Sequence, residues 1–256
     1  MVSFYTGDQY GQIPGKLPGT WWEGGAMFDA LIRYWHFTGD STYNNITIQG
    51  MLWQAGAGDD YMPANWSAYL VSTRILFRVT NITLIPLKGN DDQVFWGLAA
   101  MTAAEVNFPT NPGAPSWLGL AQGVLNTQAP RWDDTSCGGG LRWQINPYQA
   151  GYTLKNSVSN GGFFQLAARL AVYTGNSSYS DWAMKMWDWS TSSILVNTTS
   201  WYIIDATTTT SNCTYSEYLQ WTYNYGIYMM GIAYMYNYVS PFAFISARFP
   251  CMEFME

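Results

Sequence analysis

Apolar positions in this chain recur every three to four residues over long stretches, the spacing at which one face of a helix meets a core. Such stretches lie at 26–35, 46–54, 163–172 and 182–189, with further ones at about 91–106, 116–130 and 221–238. No convincing run alternates apolar and polar residues as a strand does, and the Gly- and Pro-rich sequence between the stretches reads as long loops. A short word recurs, FTGDSTY at 37–43 and YTGNSSY at 173–179, each time between two apolar stretches. In both copies the glycine is placed to close one helix in a left-handed conformation. Asp40 or Asn176, with the serine after it, is placed to open the next, and the closing tyrosine to pack on the pair. These are helix–turn–helix units with aromatic inner faces. They predict an all-α fold of helical hairpins, an α/α toroid, with a helical solenoid as the generic alternative. The apolar run at 226–239 is too short and too polar to span a bilayer.

Composition narrows the function. Charged residues make up only 11% of the 256 residues, while aromatics reach 18%, with 14 Trp and 19 Tyr against 12 Phe. Trp and Tyr join an apolar face to a polar tip, which suits them to stack on sugar rings at a wet surface. A large core takes most of these rings, but their excess over Phe leans towards carbohydrate. The formal net charge is -6 and no Lys/Arg cluster occurs, so the basic footprint of a nucleic-acid binder is missing. Asn-x-Ser/Thr sequons at Asn45, Asn65, Asn81, Asn176, Asn197 and Asn212, together with few lysines, fit a secreted surface. Cys137, Cys213 and Cys251 lack metal-binding spacing, and in an oxidising compartment they predict one disulfide plus an odd thiol. The start of the chain is polar and turn-rich, so a secreted protein is expected to draw its leader from sequence outside it.

Candidate chemistry rests on three adjacent aspartate pairs, Asp59-Asp60, Asp91-Asp92 and Asp133-Asp134. Glycoside hydrolysis needs two carboxylates, one held protonated and one ionised. Neighbours on a regular helix point about 100° apart, but at a helix start both can face one cleft. Asn90-Asp91-Asp92-Gln93 sits at such a start. It also reads as a capping box between Asn90 and Gln93, with acids favoured by the helix dipole. His36 is the only histidine and reads as a packed or surface residue, which leaves no nucleophile system of the Ser/His or Cys/His type. The glycines at 138–140 lack the spacing of a phosphate loop.

These residues fall into a recognisable order. The chain resembles glycoside hydrolase family 76, the α-1,6-mannanases, and within it the fungal cell-wall branch. The resemblance is carried by WWEGGA (21–26), DYMP (60–63), GNDDQVFWG (89–97), AAEVNFP (103–109), RWD (131–133), CGGGLRWQ (137–144), KNSVSN (155–160), AAR (167–169) and WTYN (221–224). It implies an (α/α)6 toroid and a retaining mechanism in which Asp91 is the nucleophile and Asp92 the acid/base. It also implies that Trp22, Tyr61, Trp96, Trp143, Asn156, Asn160 and Asn224 line the substrate cleft. The plain alternatives are helix caps for the asparagines and core positions for the rings. The implied substrate is an α-1,6-mannose-containing glycan, a mannan or the core of a GPI anchor. GPI-anchored proteins and wall glucan are the implied partners in cell-wall biogenesis, at the cell surface or plasma membrane, by a monomer. No cofactor and no metal are implied.

Two segments depart from the family. Residues 66–88 stand where relatives have only a few, and the resemblance ends at Asn237, so 1–237 is expected to be a partial catalytic domain and 238–256 a non-family tail. Both segments carry Val-Ser near their start, at Val71-Ser72 and Val239-Ser240, the dipeptide that a splice donor encodes in frame. Two introns retained in the coding sequence are the expected cause. Against the resemblance, the chain then carries about seven of twelve helices, and Gly162 stands where relatives often have the cysteine of a disulfide. Poor folding and little activity are the expected consequence, since inner faces would meet water. The alternatives to an enzyme are a sugar-binding module without turnover and an inert truncated product.

Overall fold

A computed structural model describes residues 2–63, 88–216 and 218–239. The segment read as foreign, apart from Lys88, and the tail beyond Val239 lie outside the described residues. The chain divides into two compact units, Met1–Pro130 with Trp143–Tyr152, and Arg131–Arg142 with Thr153–Glu256.

The first unit is built from α1 (Trp22–Thr38), α2 (Asn44–Ala55), α3 (Asn90–Glu105) and α4 (Trp117–Gln128). α3 packs against both α1 and α4, and residues 96–104 of it are buried without a break. Because it is covered on more than one side, its apolar pattern runs all round, as a central helix requires. α1 begins four residues before its apolar stretch, at Trp22-Glu-Gly-Gly. A Cβ on Gly25 would lie 2.9 Å from the Trp96 backbone nitrogen, so the glycines let the α1 backbone touch α3. Gly39 ends α1 with φ 75°, as the recurring word predicts. Asp40 does not cap α2, however. Its carboxylate accepts the Thr42 N–H at 2.9 Å and forms the turn before the helix, and Tyr43 takes the cap position.

The second unit centres on α5 (Ser157–Thr174), whose residues Ser157 to Ala171 are all buried, with α6 (Ser177–Ser192) and α7 (Thr222–Tyr238) packed on it. Here both capping residues behave as predicted: Gly175 ends α5 with φ 70°, and Asn176 accepts the Ser178 N–H at 3.0 Å to open α6. A short antiparallel ribbon, β1 (Leu154–Asn156) with β2 (Ala206–Thr208), was not expected. Three residues are too few to display alternation, so no sequence signal existed for it. The loop 131–142 is pinned beneath it. The buried Lys155 ammonium donates to the carbonyls of Asp133 and Ser136, each at 2.8 Å, and of Gly139 at 2.5 Å. Cys137 and Cys213 form a disulfide, in keeping with the expected single bridge. Among the described residues, no helix is long and apolar enough to cross a membrane.

Candidate active site

The Asp91-Asp92 pair occupies the first turn of α3, and the chain just before it is held as a strand. Asn90 N–H donates to Trp143 O at 2.8 Å, Ile145 N–H to Lys88 O at 3.3 Å, and Gly89 bridges antiparallel to Gln144. Gly89, extended at φ -88° and ψ 160°, is the N-cap. The reciprocal cap expected between Asn90 and Gln93 is therefore shifted by one residue. Asp92 Oδ2 accepts the Gly89 N–H at 2.7 Å, while Gln93 turns its amide to the Asp60 carbonyl at 2.7 Å. The shift follows from Asn90, whose N–H is taken by Trp143 and whose own carbonyl accepts from Gln128 at 2.7 Å.

Asp91 Oδ1 accepts the Asp92 N–H at 2.9 Å. A Cβ on Gly89 would fall 1.9 Å from that oxygen, so only glycine leaves room for the Asp91 carboxylate in this position. Burial pushes the Asp92 carboxyl up to about 6 from its ordinary 3.8, against the Gly89 N–H and the Lys88 charge, which both pull it down. Lys88 is only 2% exposed, with its ammonium 4.0 Å from the centre of the Trp21 ring. Sequence reasoning missed Lys88, because it ends the foreign segment and belongs to no motif.

Behind the pair lies an aromatic stack. Trp96 is stacked on Trp21 with centroids 5.8 Å apart and on Tyr61 at 5.5 Å. Tyr61 and Trp96 are fully buried, so the structure gives these two expected cleft residues core positions. Neither Tyr61 Oη nor Trp96 Nε1 has a protein partner among the described residues, and burial with the Asp59 charge raises the Tyr61 hydroxyl. Trp22, by contrast, is 36% exposed and meets Phe95 in a tilted contact at 4.9 Å, and Trp143 keeps partial access to solvent.

The three expected asparagines belong to the second unit and are all buried. Asn160 is fully engaged: its Oδ1 accepts the Leu141 N–H at 2.7 Å, and its Nδ2 donates to the Leu141 and Asn156 carbonyls. Asn156 caps α5 by accepting the Ser159 N–H at 3.3 Å. Asn224 alone retains capacity, with Oδ1 unpartnered among the described residues and Nδ2 3.5 Å from Asp205 Oδ1.

One member of each other aspartate pair is occupied by structure. Asp133 pairs with Arg142 at 2.8 Å and Lys155 at 3.3 Å. Burial alone would raise its carboxyl, but the Thr135 and Ser136 hydroxyls and these two cations hold it far below the usual range. Asp60 accepts from Met62 N–H at 3.1 Å and from the Thr127 hydroxyl at 3.0 Å, tying its loop to α4. His36 is exposed and meets Phe37 edge-on. No group of His, Cys, Asp and Glu that could hold a metal occurs among the described residues.

Comparison with known proteins identifies the family. The sequence profile of Glycosyl hydrolase family 76 matches residues 1–241. Mannan endo-1,6-alpha-mannosidase DCW1 of Saccharomyces cerevisiae is 46% identical over 243 residues, covering 93% of this chain and 50% of the relative. Mannan endo-1,6-alpha-mannosidase DFG5 of the same yeast is 39% identical, covering 93% and 49%. The chain thus spans about half the length of the curated relatives it matches. The crystal structure of Dfg5 from Chaetomium thermophilum in complex with glucosamine matches with TM-score 0.83 and 43% identity, over 93% of this chain and 56% of that one. An inactive variant of the GH76A alpha-1,6-mannanase of Salegentibacter, in complex with alpha-1,6-mannotetrose, matches in fold alone, with TM-score 0.63, 18% identity, and 91% and 62% coverage. These neighbours are α/α toroid enzymes, and the fold class is theirs rather than that of a generic solenoid. The chain belongs to glycosyl hydrolase family 76.

Proposed function

We propose that the protein is a retaining glycosidase or transglycosidase of α-1,6-linked mannose, with Asp91 as nucleophile and Asp92 as acid/base. The observation that carries this reading is a pair of adjacent carboxylates at one helix start, one of which, Asp92, is held above its ordinary range. Asp92 is pushed up to about 6 by burial, so it holds a proton within reach of neutral pH. Asp91 shares the positive end of α3 with Asp92, and its Oδ1 accepts the Asp92 N–H at 2.9 Å. In the first step Asp91 Oδ attacks the anomeric carbon while Asp92 gives its proton to the leaving oxygen. In the second, ionised Asp92 takes a proton from water or from a sugar hydroxyl, which displaces Asp91. The exposed Trp22 ring and the partly exposed Trp143 ring supply stacking faces for sugars in the same unit.

The names of the relatives support mannan, or a glycan core with the same linkage, as substrate. The same reading puts the protein at the cell surface in wall biogenesis, with GPI-anchored proteins and wall glucan as partners. The sequon asparagines Asn45, Asn176, Asn197 and Asn212 are all exposed, which suits a secreted surface. The test is turnover of α-1,6-mannotetraose by the purified protein, with and without an acceptor sugar. Asp91→Asn and Asp92→Asn are expected to abolish or severely reduce it. Binding without turnover in the unmodified protein would replace this reading with that of a lectin-like module.

A further inference from the structure

After α6 the chain folds back on itself at the surface of the second unit. Val196 bridges antiparallel to Ile203, Asn197 N–H donates to Tyr202 O at 2.9 Å, and Trp201 N–H donates to Asn197 O at 2.7 Å. Leu195 and Val196 are buried and anchor the base, while residues 197–200 are exposed. Within this hairpin Asn197 Oδ1 accepts both the Thr199 and the Ser200 N–H, each at 2.9 Å. Two donors on the oxygen fix the plane of the amide. They leave Nδ2 without a protein partner among the described residues. Beside it runs a groove of about 380 Å³ whose lining includes Thr191, Tyr202, Tyr218 and Gln220. Tyr202 and Tyr218 are 57% and 71% exposed, so both rings offer a face on which a sugar can stack.

The other described sequons differ. Asn45 is inside the first turn of α2, and its Thr47 is fully buried with the hydroxyl donating to Tyr43 O. Asn176 takes the hydroxyl of its own Ser178, the residue that a sequon needs free. Asn212 is followed by the disulfide-bonded Cys213, and its Oδ1 accepts the Cys137 N–H. At Asn197 the amide nitrogen is presented, the Thr199 hydroxyl is uncommitted, and a sugar-sized groove adjoins.

We propose that Asn197 is N-glycosylated and that the first sugar of its glycan seats in this groove against Tyr202 and Tyr218. The donor is an oligosaccharide linked through a diphosphate to a polyisoprenoid lipid. Asn197 Nδ2 attacks C1 of the first sugar and the N–C1 bond forms. The C1–O bond breaks with its electron pair leaving on the lipid diphosphate, and one amide proton passes to a base of the transferase. The inference rests on the surface localisation proposed above, but not on the catalytic roles of Asp91 and Asp92.

The test is peptide mass spectrometry of the full-length protein secreted from a yeast, before and after glycosidase release in heavy-oxygen water. Asn197 is expected to convert to heavy-labelled Asp. Thr199→Ala is expected to abolish occupancy and Thr199→Ser to keep it. On the native protein, the Asn197 glycan is expected to be trimmed more slowly by an endoglycosidase than in Tyr202→Ala or Tyr218→Ala. Equal trimming rates would overturn the seating in the groove. An unoccupied Asn197 overturns the proposal; if other sequons are then occupied, the localisation stands without it, and if none is, both fall.

Discussion

The Asp92 carboxylate accepts the Gly89 N–H at the positive end of α3, which favours its anion, yet it is enclosed deeply enough that the acid form gains. A raised native pKa means the folded chain holds this proton more tightly than the unfolded one. The group's contribution to stability is therefore full below about pH 4 and declines as pH rises towards about 6. Asp92→Asn should remove that decline, so urea melts at acid and neutral pH should differ less in the variant than in the parent. The same substitution should lower kcat/KM about 100- to 10,000-fold, as expected for a lost general acid/base. In the parent, kcat/KM should fall on the alkaline side with an apparent pKa near 6. Lys88→Met takes away the cation that pulls Asp92 down, so that limb should move to higher pH while the fold survives; an unmoved limb would exclude Lys88 from the site's electrostatics. Gly89→Ala needs no strained backbone, since φ is -88°, but its methyl would displace the Asp91 carboxylate. Its expected mark is a large loss of kcat with a much smaller change in melting temperature.

At the scale of elements, the glycines of α1 and the cation beneath β1 are the sensitive points. Gly25→Val would drive a branched side chain into the α3 backbone, and overpacking of this kind costs about 1–3 kcal/mol, readable in a thermal melt by circular dichroism. What was legible beforehand follows the same physics. All seven α-helices of the described residues coincide with apolar stretches of the sequence, because each is packed against a neighbour. The first turns of α1 and α5 were not legible, since these helices open with Gly, Ser and Asn packed by backbone contact or capping rather than by apolar side chains. The Asp91-Asp92 pair was legible only as one of three. Sequence carried no sign that Asp133 is neutralised by Arg142 and Lys155, or that Asp60 is tied to α4, because those partners are distant in the chain. For the same reason Trp96 and Asn160 read as cleft residues: a motif marks them, and only their contacts reveal a core stack and a loop clamp.

At the scale of the whole molecule, the two units draw on non-contiguous chain, with 131–142 belonging to the second and 143–152 to the first. The stretch from Trp132 to Gln144 thus supplies a disulfide and a charge cluster to one unit and the strand that frames Asp91 and Asp92 to the other. Removal of residues 66–87, with Lys88 kept, should raise the yield and melting temperature of the protein if that segment is foreign to the domain; an unchanged or lower melting temperature would argue that it belongs there. One consequence of the Lys155 clamp concerns oxidative maturation. Three cysteines allow three pairings, and the native one joins residues 76 positions apart. By gathering the carbonyls of residues 133, 136 and 139, the ammonium shapes the loop that carries Cys137. Lys155→Met should therefore leave a mixture of bridges that includes Cys251, visible by peptide mapping, where the parent yields the Cys137–Cys213 link alone. In that sense a buried amine acts as the template for the protein's redox chemistry.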